Sequence, residues 1–151
     1  DDYSDVEVGR INVYSDGLPV GDAPQTQVGA QLDFDIPYGF RLSADWQFND
    51  RMYADFDPVT RVEASDREAS YRIPSYHLLS ATLSWSKFFG SCADASGGCR
   101  GIGLTLFATG SNLLDTVYIE RGKDGALHDL ATFRGYWGFG RNVSFGIRFS
   151  F

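Results

Sequence analysis

Two cysteines, two histidines and a set of loop carboxylates are the residues here whose types suit chemistry. Cys92 and Cys99 flank the Gly/Ser-rich run Ala93-Asp94-Ala95-Ser96-Gly97-Gly98. Cysteines closing so short a turn favour a disulfide in an oxidising compartment, with loop-closure entropy setting an upper value of roughly 2–3 kcal/mol. A redox or zinc site wants Cys-x-x-Cys or further ligands, and neither is present. His77 and His128 stand in no recognisable Cys or carboxylate constellation along the sequence, so neither is assigned a catalytic or metal role. Asp50, Asp55, Asp57, Glu63, Asp66 and Glu68 form one acidic loop cluster, and Glu120, Asp124 and Asp129 another. Neither follows the twelve-residue calcium pattern. Arg51, Arg61, Arg67, Arg72, Arg121 and Lys123 offset much of that charge, which reads as solvated acidic loops. Asn142-Val143-Ser144 fits a glycosylation acceptor but falls inside a strand pattern. Gly138-Phe139-Gly140 lacks the third glycine and the following helix of a dinucleotide site. No nucleophile is paired with a base, so no enzymatic activity, cofactor or metal is expected.

The elements that must position these residues follow from periodicity. Val28, Ala30, Leu32, Phe34 and Ile36 alternate with polar residues over Thr26–Ile36, and Phe40, Leu42, Ala44, Trp46 and Phe48 do so over Phe40–Asn49. Leu78–Ser86 and Gly101–Thr109 repeat the pattern, the latter with Phe107 as an exception. The last segment is the longest: Trp137, Phe139, Val143, Phe145, Ile147, Phe149 and Phe151 share one face, broken by Arg141. Val6–Tyr14 alternates out of phase, which suggests a bulge near Gly9-Arg10. Period-two alternation predicts strands with one apolar and one polar face. The expectation is six up-and-down strands and no helix, with all five prolines at or between strand ends.

Composition narrows the class. The chain has 151 residues, 43% hydrophobic and 15% aromatic, with 13 basic and 20 acidic side chains and a formal charge of −7. No apolar run is long enough for a helical membrane span. The acidic balance argues against a nucleic-acid partner. Asp1-Asp2-Tyr3 has no leader character, which reads as a mature, cytosolic or fragmentary chain.

Alternating strands fit either a soluble β-sandwich binding module or a membrane barrel. Strand length favours the barrel, because ten to twelve tilted residues match a bilayer's hydrocarbon core. Aromatics gather at strand ends: Tyr53, Tyr71, Tyr76, Tyr118, Tyr136 and Trp137 at one rim, and Tyr38, Phe40, Phe88, Phe89, Phe149 and Phe151 at the other. Trp46 and Trp85 fall nearer the middle. Connections 15–24, 52–75 and 113–136 lie on one side, and 37–39 and 89–100 on the other. That is the asymmetry of outer loops and periplasmic turns, although 89–100 is long for a turn.

The terminal Gly140–Phe151 strand resembles the last strand of outer-membrane β-barrels. There, a C-terminal Phe preceded by alternating apolar residues is the signal for the insertion machinery, which assigns that role to Val143, Phe145, Ile147, Phe149 and Phe151. More narrowly, the chain resembles the C-terminal part of TonB-dependent outer-membrane receptors. The resemblance rests on Gly21-Asp22-Ala23-Pro24-Gln25-Thr26, Tyr53-Ala54-Asp55-Phe56, Ile73-Pro74-Ser75-Tyr76, Asn112-Leu113-Leu114-Asp115-Thr116-Val117-Tyr118-Ile119 and the final Phe139-Gly140-Arg141 strand, in that order. It implies that residues 1–151 are the last six strands of a 22-stranded antiparallel transmembrane barrel in the bacterial outer membrane, without the plug and the TonB box. It further implies active uptake of a siderophore-iron, cobalamin-like, glycan or peptide nutrient. The implied partners are membrane lipid, the rest of the barrel and its plug, TonB through that plug, and the insertion machinery. Tyr53, Phe56 and Tyr71 would be vestibule contacts. A multi-chain barrel, and a passive porin or other outer-membrane barrel, are the alternatives within the membrane reading.

Overall fold

A computed structural model describes residues 10–92 and 99–151. The fold is all-β and antiparallel in its sheets. Five strands form the main sheet in the order β1-β2-β5-β6-β9. They are β1 (Thr26–Ile36), β2 (Phe40–Asp50), β5 (Tyr76–Cys92), β6 (Cys99–Ser111) and β9 (Asn142–Ser150). Each neighbour is antiparallel to the next. Two small sheets lie in the long loops, one from β3 (Met52–Tyr53) with β4 (Arg72–Ile73), the other from β7 (Ile119–Lys123) with β8 (Arg134–Trp137).

Register carries the sequence alternation across the whole sheet. One row reads Ile36, Phe40, Trp85, Leu106 and Ile147, each opposite the next. A second reads Phe34, Leu42, Leu83, Ala108 and Phe145. Opposed residues project to the same side, so these rows build one continuous apolar face. The other face carries Gln31 opposite Asp45, Ser43 opposite Thr82, Thr82 opposite Thr109, and Thr105 opposite Arg148. Side-chain bonds lace that polar face: Arg41 donates to Asp35, Ser43 to Asp33, and Thr82 pairs with Thr109. Phe107, the exception in the alternation, lies on the polar side opposite Gly146, where a Cβ would meet its ring at 2.2 Å.

Several expectations are corrected. Among the described residues the main sheet has five strands, not six, and it is open, with β1 and β9 as its edges. Residues 10–14 of the expected first strand are irregular, and Val6–Gly9 lie outside the described residues. The final strand begins at Asn142, not Trp137. Gly138 N–H donates to Tyr118 O and the Asn112 amide donates to Phe139 O, which draws this backbone out of the ladder. The connection after β5 is shorter than the 89–100 stretch, because β5 runs to Cys92 and β6 resumes at Cys99. Trp85 lies near the middle of β5, as the sequence reading had it, opposite Phe40 with its indole N–H on Tyr38 O at 3.1 Å.

One described connection on that side is tight. Pro37–Gly39 closes β1–β2 with Tyr38 and Gly39 both at positive φ. Gly39 has no substitute here, since a Cβ would stand 2.3 Å from Ser86 O and φ is +88°. At the end of the β5–β6 ladder the register sets Cys92 opposite Cys99. The expected bridge between their side chains lies outside the described residues.

Gly39→Ala is expected to destabilise the sheet by about 1–3 kcal/mol, from left-handed strain plus the clash with the β5 backbone. Equilibrium unfolding of the variant beside an exposed-face control such as Ser86→Ala measures this; equal midpoints would refute it.

Candidate functional site

The long loops fold against one another. Asp22 N–H donates to Tyr53 O, Ala54 N–H to Tyr71 O, Asp55 N–H to Gly122 O, and Asp124 N–H to Asp55 O. These bonds join the loops 15–24, 52–75 and 113–136 into one body through isolated parallel bridges at Gly21/Tyr53 and Asp55/Lys123. Among the described residues the buried apolar side chains are Met52, Ala54 and Ile73, all within or beside β3 and β4. The buried core thus lies in the loops rather than on the sheet. Glycine at 21 is required by that closeness, because a Cβ there would stand 2.4 Å from Asp55 Cα.

Arg61 is the centre of this body, its side chain 1% exposed. Nη1 donates to Asp66 Oδ1 at 2.7 Å and Glu68 O at 3.1 Å; Nη2 donates to Asp124 Oδ2 at 3.1 Å and Ser70 Oγ at 3.4 Å. Its guanidinium carbon stands 5.0 Å from the centre of the Phe56 ring, a cation–π contact. His128, at positive φ, completes the group. Its Nδ1 lies 2.5 Å from Asp124 Oδ2 and its Nε2 3.0 Å from Arg61 Nη1. A proton on Nδ1 satisfies both contacts, since Nδ1–H then donates to Asp124 while Nε2 accepts from Arg61. Nε2 also lies 3.2 Å from Asp66 Oδ1. Asp124 Oδ1 accepts the Tyr71 N–H at 3.0 Å, so this carboxylate ties Arg61, His128 and the β4 approach together.

Beside this group lies a cavity of about 460 Å³, walled by Asp55, Phe56, Asp57, Lys123, Asp124 and His128 among others. Both of its cations are matched by carboxylates. Arg61 is held by Asp66 and Asp124, and Lys123 by Asp55, whose hydrogen bond and charge raise the lysine pKa. On the cavity's flank, the N–H and then the hydroxyl of Thr132 hold the Asp129 carboxyl below its ordinary value. The arrangement fixes loop geometry. Arg61, Asp124 and His128 are each engaged with the others, so the group is a fastener rather than a free acid or base.

Of the expected vestibule contacts, Phe56 lines the cavity. Tyr53 is in β3, paired with Arg72, and Tyr71 packs on Phe133 with ring centres 4.6 Å apart. Tyr76 and Tyr118, assigned to the same rim, stack at 4.5 Å inside the loop body. The expected insertion residues Val143, Phe145, Ile147 and Phe149 all project from the apolar face of β9, exposed, and Phe151 follows directly after it. His128 does enter a carboxylate constellation, contrary to the sequence reading. Only its i,i+4 relation to Asp124 was local, while Arg61 comes from 67 residues away.

Replacing Arg61 by Met would strand the Asp124 carboxylate, itself 2% exposed, and is expected to cost about 3–5 kcal/mol in the loop body. Limited proteolysis within 52–75 and 113–136 should accelerate while the sheet's circular dichroism persists; unchanged cleavage would refute the fastener role. Searches with protein-family models, among curated proteins and among solved structures find no match for this chain.

Proposed function

We propose that the chain is a segment of a bacterial outer-membrane β-barrel of the TonB-dependent receptor type. The carrying observation is the single-layered, two-faced sheet. Leu32, Phe34, Ile36, Leu83, Leu106, Phe145, Ile147 and Phe149 project from one face, each more than a third exposed, and no second sheet covers them among the described residues. In water such a surface exceeds what monomeric soluble proteins leave bare, and a sandwich would need a second layer over it. A hydrocarbon environment removes the conflict. Strands of eleven residues tilted near 45° span about 25 Å, which suits the apolar band of such barrels.

Two further features support the reading. A tight turn at Pro37–Gly39 on one side and long, structured loops on the other fit the asymmetry of periplasmic and extracellular ends. The strands are also staggered. At the level where β1 and β2 turn, β5 and β6 continue on the order of 20 Å further. Progressive offset of this kind accompanies strand tilt in a barrel.

In this proposal β1 and β9 pair with the remaining strands of a larger barrel, 22 in the receptor family, and the polar face meets the lumen and the plug. The whole receptor takes up a scarce nutrient, a siderophore-iron, cobalamin-like compound, glycan or peptide, with TonB acting through the plug. This segment supplies loops to the vestibule and the insertion signal to the assembly machinery, and it has no enzymatic role.

Bilayer insertion tests the proposal. Trp46 and Trp85, both on the apolar face, should be quenched by brominated acyl chains and shielded from aqueous acrylamide. Recovery of the protein in the aqueous phase after detergent partition, without heat-dependent gel migration, would overturn it. Removal of Phe151 should lower insertion in cells severalfold; normal insertion of that truncation would refute the assigned assembly role.

A further inference from the structure

We infer that a cavity at the loop-side end of the polar face is a binding site for a neutral glycan, walled by Ser80, Ser111 and Asn142. The inference rests on the uptake reading and narrows its nutrient to one class.

The cavity holds about 630 Å³, within the usual range of small-ligand sites. One wall is the last row of the polar face. Asn142 opposes Ser111, and Ser80 and Leu78 lie on the side of β5 that carries Thr82. The other wall is the stretch Phe139–Arg141, which stands outside the ladder before β9 begins. That stretch is pinned. The Asn112 amide holds Phe139 O, and Asp115 Oδ1 accepts the Arg141 N–H at 3.3 Å. Tyr118, stacked on Tyr76, fills the space where Gly138 has no Cβ. The capture that ends the last strand early therefore leaves a preformed cavity beside it.

The chemistry of its walls selects the ligand. Further along the same face hydroxyls satisfy one another, Thr82 with Thr109 and Ser86 with Thr105. The Ser80 and Ser111 hydroxyls and the Asn142 amide have no side-chain partner among the described residues. Each of these groups both donates and accepts, as sugar hydroxyls do. The charged residue in the wall, Arg141, is matched by Asp115 at 3.3 Å, so the cavity has no net charge to offer. An anionic iron chelate would lose water here without gaining a counter-ion. The same holds for the phosphate of a cobalamin-like compound and the charged termini of a peptide. Leu78 and Tyr118 supply apolar surface for the C–H face of a sugar ring.

The test titrates the chain, reconstituted in vesicles, with maltohexaose, cellohexaose and laminarihexaose, read by saturation-transfer NMR. At least one should bind, and ferric citrate or cyanocobalamin at equal concentration should not displace it. Asn142→Ala should weaken binding roughly tenfold through lost hydrogen bonds. Ser80→Trp, which fills the cavity, should abolish it. Circular dichroism of the sheet checks that both variants fold; if Ser80→Trp does not, Asn142→Ala alone decides. Leu127→Ala, on the exposed loop crest, should leave binding unchanged. Affinity unmoved by the cavity variants, or displacement by ferric citrate or cyanocobalamin, overturns the glycan assignment. Trp46 quenching by brominated lipid is measured in the same vesicles. Insertion with no binding of any hexaose overturns the cavity site alone, whereas absence of insertion overturns the receptor reading and with it the role of the glycan as cargo.

Discussion

Everything in this structure depends on the apolar face of one sheet having no protein over it. A soluble β-domain hides such a face in a second layer, and the hydrophobic effect then holds both layers together. Here the alternation of Thr26–Ile36, Phe40–Asp50 and Asn142–Ser150 puts the whole apolar set on one side of a single layer. The strand ladders and the polar-face hydroxyl pairs satisfy the backbone and one face of the sheet, while the apolar side stays exposed. Among the described residues β1 and β9 are open edges, whose unpaired backbone groups are a template for further strand pairing.

The loop side obeys the opposite rule. Met52, Ala54 and Ile73 are buried there, and so are Asn49, Arg61, Ser70 and Asn112. A buried guanidinium needs its charge matched, and Asp66 and Asp124 do this while the Glu68 carbonyl takes a further Nη1 proton; the Nε–H has no partner among the described residues. Asn112 has the equivalent role at the foot of β9, bonding Thr116 and Phe139. The loops are therefore shaped by buried polar contacts, and the sheet by apolar patterning.

That division explains what could be read from sequence. β1, β2, β5 and β6 were legible because alternation over nine or more residues survives any uncertainty at the ends. The end of the last strand was misread because Trp137 and Phe139 continue the odd-numbered apolar series, although Asn112 and Tyr118 capture the intervening backbone. β3 and β4, at two residues each, are too short to carry a period. The first long acidic loop read as solvated because its charges are of mixed sign. Asp66 lies only five positions from Arg61, but the partners that close the site, Asp124 and His128, lie more than sixty positions away. Phe56 was singled out as an aromatic, and its place under Arg61 came only with the fold.

The fastener at Arg61 also constrains how such loops can diversify. Surface loops ordinarily vary independently, each answering to its own contacts. Here one loop supplies the guanidinium with Asp66, and the other supplies the Asp124 carboxylate and the imidazole that complete its contacts. Exchanging 52–75 alone would leave Asp124 in the interior without its cation. The heritable unit is the matched pair, 52–75 with 113–136, and recombination that respects that pairing can change the exposed crest while keeping the joint beneath it.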